Sequence, residues 1–108
     1  MSKYINSLLE VLKILASSAQ VQLRYLNGLG NPSVDELALD FDDLFLMAPS
    51  KLEVGELTSQ QFKNLEDLNS MFDQISGVDR YWTASSLSED REWEEIRKLA
   101  SVCLRQFN

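Results

Sequence analysis

Apolar residues recur at three- and four-residue spacing along most of this chain and nowhere alternate convincingly with period two. That pattern admits helices and argues against a sheet. Ile5, Leu8, Leu9, Leu12, Leu15 and Ala16 make one face of a helix over about Ser2–Ala16. Val11 and Ile14 widen that face, as in a helix buried on more than one side. Phe62, Leu65, Leu68, Met71 (or Phe72) and Ile75 stripe another helix. Thr58 and Gln61 open it as a capping box, and Gly77 is a natural residue to follow its end near Ser76. Trp93, Ile96, Leu99, Ala100, Cys103, Leu104 and Phe107 stripe the last, opened by Ser88 and running from Glu89 to about Phe107. Its acids Glu89, Asp90 and Glu92 lie at the positive end of the helix dipole and its bases Arg97, Lys98 and Arg105 towards the negative end.

The intervening segments are shorter. Ser17 and Ser18 interrupt the first pattern and can cap a helix over Ala19–Asn27 that buries Val21, Leu23, Tyr25 and Leu26. The two segments read equally as one kinked helix or as two. Gly28-Leu29-Gly30-Asn31-Pro32 is a break. Residues 49–57 have room for one helical turn around Leu52 and Val54, and Thr83 can cap a single turn through Leu87. The expected architecture is all-α: a single domain, residues 1–108, folded as a compact bundle of four main helices, or five if the first splits. No repeat, low-complexity tract or domain linker interrupts it.

The stretch Asn31–Ala48 is the unusual one. After Pro32, Ser33 with Glu36 forms a second capping-box pattern. Val34, Leu37, Ala38, Phe41, Leu44, Phe45 and Ala48 then hold one face, and Pro49 is expected to stop the helix. The stretch carries Asp35, Glu36, Asp40, Asp42 and Asp43 and no base. Asp35 and Glu36 suit the first turn, whereas Asp42 and Asp43 oppose the dipole. Glu36, Asp40 and Asp43 stack on one stripe, where like charges cost roughly 0.2–0.5 kcal/mol per pair. Such a stripe is either a solvated face or a docking surface for something basic. The lack of any compensating Lys or Arg keeps the second reading in play.

The charge is concentrated there. Of a net −7, residues 33–77 contribute −8: five acids in 33–48, then Glu53, Glu56, Glu66, Asp67 and Asp73 against Lys51 and Lys63. A field of this sign disfavours nucleic acid and anionic membrane and favours a basic protein. No segment approaches the ~18 apolar residues of a membrane span, and the Met1 end lacks the pattern of a leader. The expected compartment is the cytoplasm.

Catalytic and cofactor chemistry is poorly represented. There is no histidine, which removes triads, most zinc sites and the commonest general base. The glycines form no phosphate loop. Asp40-x-Asp42-Asp43 fails as a calcium loop, with Phe45 where Gly is wanted and Lys51 where Glu is wanted. Cys103, the single cysteine, falls in a helical apolar stripe and is expected as a core residue. The chain is read as no enzyme, with no metal and no cofactor. Tyr81 and Trp82 are either lids on the core or interface anchors flanking the acidic face.

Taken together, Tyr25-Leu26 before a glycine break, Pro32-Ser-Val-Asp-Glu-Leu-Ala-Leu-Asp-Phe-Asp-Asp43, Ser76-Gly77, Trp82-Thr83 and Glu92-Trp-Glu-Glu-Ile-Arg97 resemble short acidic immunity proteins of bacterial contact-dependent growth inhibition and related polymorphic toxin systems. The resemblance spans about residue 20 to the C-terminus, and its most specific piece is Ser33–Asp43. It implies a protein that binds one cognate toxin domain, often a basic nuclease, and covers its active site or substrate surface, with no catalytic residues to carry over. The acid-rich helices would then imitate a phosphate backbone. The partner-binding residues expected on this reading are Glu36, Asp40, Asp42, Asp43, Glu53 and Glu56, with Tyr81 and Trp82. The alternative is a small helical adaptor or structural subunit whose acidity serves solubility; a homodimer is compatible with it, though nothing in the residues indicates one.

Overall fold

The computed structural model describes residues 2–30 and 33–107. Every regular element among them is helical. The chain runs through α1 (Lys3–Ala16), α2 (Ala19–Gly28), α3 (Asp35–Phe45), α4 (Ala48–Glu53), α5 (Ser59–Ile75), a 3-10 turn (Asp79–Tyr81), α6 (Ala84–Glu89) and α7 (Arg91–Arg105). Five of these helices are ten residues or longer, so the all-α class holds while the expected four to five helices are joined by two six-residue ones. A radius of gyration of 13.5 Å matches the ~13 Å of a folded chain near 100 residues.

Local chemistry sets most boundaries. Ser2 and Ser18 accept the Ile5 and Val21 amides and cap α1 and α2. Ser17 and Ser18 are both extended, so the first two helices are separate. Thr58 and Gln61 form the expected capping box at α5, and Gly77, at φ 78°, takes the left-handed turn beyond it. Thr83 caps α6 through the Ser86 amide. Ser88 does not open the last helix: Ser88 and Glu89 belong to α6, and the extended backbone at Asp90 separates them from α7, which begins at Arg91.

Two expectations around the acidic helix are corrected. Ser33 and Glu36 form no capping box: α3 begins at Asp35 after Val34, with no side-chain cap, because Glu36 and Leu37 donate to the Ser33 and Val34 carbonyls in a tight turn. Val34 itself goes into the core. Pro32 lies outside the described residues. Pro49 does not stop this helix. The helix ends at Phe45, and Pro49 sits in the first turn of α4, where a missing N–H costs nothing.

The core is one cluster. α7 lies between α1 and α5, and α1 also packs on α3. Leu8, Leu12 and Leu15 of α1, Leu65, Leu68 and Ile75 of α5 and Trp93, Ile96 and Ala100 of α7 are all but sealed from solvent. The expected stripe of α2 holds except at its start. Leu26 is buried and Leu23 and Tyr25 are half-buried, but Val21 is exposed. Gln22, one residue on, is fully buried instead. Its Nε2 donates to the Ile14 and Leu15 carbonyls at 3.1 and 3.0 Å, and its Oε1 accepts from Arg97 at 3.1 Å. The amide thus closes the open C-terminal carbonyls of α1 and ties α2 to α7.

Cys103 is a core residue, with its thiol donating to the Asn64 carbonyl at 3.3 Å. Burial pushes its pKa up to about 12, with Asp67 adding to the shift. The native protein is therefore expected to react with a thiol reagent such as DTNB only as fast as it unfolds. The folded state holds the proton more tightly, so the contribution is complete below the ordinary thiol pKa near 9.0 and is lost as pH rises from there to about 12. Above pH 9, Cys103→Ala should show a shallower decline of melting temperature than the parent chain.

Candidate protein-binding face

α3 is held from inside by rings. Phe41 is buried, with its centroid 5.7 Å from Phe45 and 5.6 Å from Phe72 of α5. Phe45 in turn lies 6.2 Å from Phe62. Leu37 completes the inner stripe. This clamp fixes which side of α3 meets solvent.

The outward side is not simply polar. Leu39 is 52% exposed and Leu46, two turns on, is 72% exposed. Residues three and four apart are neighbours on a helix surface. The four such neighbours of Leu39 are Asp35, Glu36, Asp42 and Asp43, all of them acids. Asp35, Asp42 and Asp43 are exposed and Glu36 is half-buried. Among the described residues none of these carboxylates comes within ion-pair distance of a base: the ion pairs involve Glu56, Asp67, Glu94 and Glu95. An exposed leucine inside a ring of unneutralised carboxylates is the most distinctive surface feature of α3.

The other expected site residues separate. Asp40 is half-buried and accepts a 3.1 Å hydrogen bond from the Tyr25 hydroxyl. Burial raises the Tyr25 pKa, and the hydrogen bond to Asp40 and that carboxylate's charge raise it further. Glu53 is exposed on α4. Glu56 is engaged locally: it accepts from Ser2 at 3.1 Å and lies 3.8 Å from Lys51, whose ammonium sits over the Tyr4 ring. Glu56 therefore helps fasten the start of α1 and is not a free part of the α3 face.

Tyr81 and Trp82 have different fates. Tyr81 is 8% exposed, with its hydroxyl donating to Glu92 at 3.0 Å and accepting from Arg80 at 2.7 Å. Its expected role as a partner contact is withdrawn, because its ring has almost no free area to offer. Trp82 is half-buried. Its indole donates to the Ile75 carbonyl at 3.0 Å and meets Trp93 edge-on, centroids 5.5 Å apart. It lines a trough between α3 and the end of α5, together with Ala38, Leu39 and Ser76. Asp35, Asp42, Asp73 and Asp79 border the trough.

Sequence reasoning missed Leu39, Leu46, Asp73 and Asp79. The signal for the leucines was present: neither fits the inward stripe of α3. Asp73 and Asp79 carry no such signal, since only the packing of α5 and the 3-10 turn beside α3 adds them to this face. Among the described residues no group of acids and cysteine is arranged to hold a metal ion, and no helix is long and apolar enough to cross a membrane. No protein-family model, curated protein or solved structure matches the chain.

Proposed function

We propose that this protein binds a basic protein partner through the outward face of α3 and acts as an inhibitor or immunity protein for a toxin domain, a nuclease being the favoured class. The observation that carries the reading is Leu39 in its ring of Asp35, Glu36, Asp42 and Asp43, with no base on the helix. Burying the exposed apolar area of Leu39 supplies contact energy once water is excluded. The surrounding carboxylates steer a basic surface on to it and reject acidic ones. A nuclease surface, built to hold phosphates, has the matching charge. The partner's identity rests on this complementarity and on the resemblance of Ser33–Asp43 to immunity proteins.

The test is recovery from the native host with this protein as bait, at low and at high salt. A single basic partner of nuclease size, retained at low salt and associating more slowly as salt rises, is the expected result. Reversing Asp42 and Asp43 to Lys should slow association about tenfold or more, in keeping with the range over which steering acts. Both side chains are exposed, so melting should stay the same or rise slightly through relief of like-charge repulsion. Unchanged association kinetics would remove the site assignment. Asp40 is a poorer choice because its reversal also removes the Tyr25 hydrogen bond.

A second reading has its own observation. Leu46 and Met47, in the turn between α3 and α4, and Val54, at the far end of α4, are 72%, 46% and 71% exposed. Exposed apolar side chains at both ends of α4 suit a self-associating adaptor or structural subunit. Sedimentation velocity separates the two: a dimer insensitive to salt supports the adaptor, and a monomer at all concentrations removes it.

A further inference from the structure

We infer that the trough between α3 and the C-terminal end of α5 is a receptor for an arginine side chain of the partner. This inference deepens the proposed function and rests on it for the source of the arginine. The trough comprises two adjoining depressions of about 240 and 320 Å³, each with room for a long side chain. They share Ala38, Leu39, Ser76 and Trp82. Trp82 is fixed from behind by its hydrogen bond to the Ile75 carbonyl and by the edge-on contact with Trp93, so the indole is a rigid wall.

The borders decide the occupant. Asp35 and Asp42 stand on the α3 side, Asp73 and Asp79 on the side of α5 and the following turn, and among the described residues no Lys or Arg lines either depression. A purely apolar side chain would leave these carboxylates flanking it without a counter-charge. A cation with an apolar stem satisfies both features. Arginine fits better than lysine for two reasons: its planar guanidinium stacks on an indole face, and its fork of donors can reach a carboxylate with two hydrogen bonds. Lysine, a compact and strongly hydrated charge, gains less from either.

The experiment needs no partner. The isotope-labelled protein is titrated with acetyl-Gly-Arg-Gly-amide, and with the same peptide carrying lysine or citrulline, followed by amide and indole resonances. The expected result is saturable shifts at Asn69, Ser76, Gly77 and Trp82 with the arginine peptide, several-fold weaker binding of the lysine peptide and none of the citrulline peptide. Asp42→Asn with Asp79→Asn, both at exposed positions, should weaken the arginine peptide about tenfold with the fold unchanged. Absence of saturable shifts, equal shifts with citrulline, or shifts that map elsewhere would overturn the inference. The two readings fail separately. A silent titration leaves partner capture by the α3 face standing, whereas arginine binding without any recoverable basic partner leaves the trough standing and removes the inhibitor.

Discussion

Trp93→Ala is expected to cost about 3–5 kcal/mol, the range for truncating a large buried aromatic. Trp93 is wholly sealed from solvent, and its indole donates to the Tyr81 carbonyl at 2.7 Å. Its ring meets Phe72 at 6.0 Å and Trp82 at 5.5 Å, both edge-on. The substitution therefore opens a cavity where α5, α7 and the 3-10 turn meet, and it orphans the Tyr81 carbonyl. For a domain of this size each kcal/mol moves the melting temperature by roughly 4–8 °C. A drop of at least about 12 °C by calorimetry is the expected reading. A fall of only a few degrees would mean that Trp82 collapses into the space. Trp93→Phe keeps most of the volume but loses the indole N–H, and should fall between the two.

Gln22→Leu is expected to cost about 1–3 kcal/mol, although it places a residue of greater hydrophobicity in the core. A buried polar group left without its partner costs about 1–3 kcal/mol. Without the amide, the Leu15 carbonyl at the end of α1 loses its side-chain donor. The Ile14 carbonyl keeps the Ser17 amide. The Arg97 guanidinium loses an acceptor and retains the Leu87 carbonyl at 3.0 Å. Burial already lowers the Arg97 pKa, against a smaller opposing effect of Glu94. Urea unfolding of Gln22→Leu, Arg97→Met and the double variant tests the coupling. The double variant should be less destabilised than the sum of the singles, by about 0.5–3 kcal/mol. Strict additivity would show that the two side chains act independently.

These two residues also mark how far the sequence can be read. Trp93 was legible, because Trp93, Ile96, Ala100 and Cys103 repeat at helical spacing and all four are buried. Gln22 was not. On α2 the apolar pattern points to Val21, yet the helix is rotated so that Gln22 faces inward, where its amide serves the carbonyls at the end of α1. No residue near Gln22 in sequence announces that need. The same holds on α3. Its acids and their lack of counter-charges could be counted from the sequence, and so could the four acidic neighbours of Leu39. That Glu56 is taken up by Lys51 and Ser2, that Tyr81 is sealed and that Asp73 and Asp79 join Asp35 and Asp42 around Trp82 could not.

Backbone signals divide the same way. Ser18, Thr58 with Gln61, Gly77 and Thr83 act within four residues of themselves, so their effect survives any tertiary arrangement. Ser33 and Pro49 were misjudged because packing competes there: Val34 and Ala48 are drawn into the core, and the backbone on either side tightens into turns that leave no cap at Ser33 and open α4 at Pro49. The helical class, most helix boundaries and the acidity of α3 are legible along the chain, because periodicity, capping and charge are properties of sequence neighbours. Tertiary structure decided which carboxylates stay unpaired, which aromatic remains accessible and where a trough forms beside α3, because each of those depends on side chains that meet only when distant helices pack.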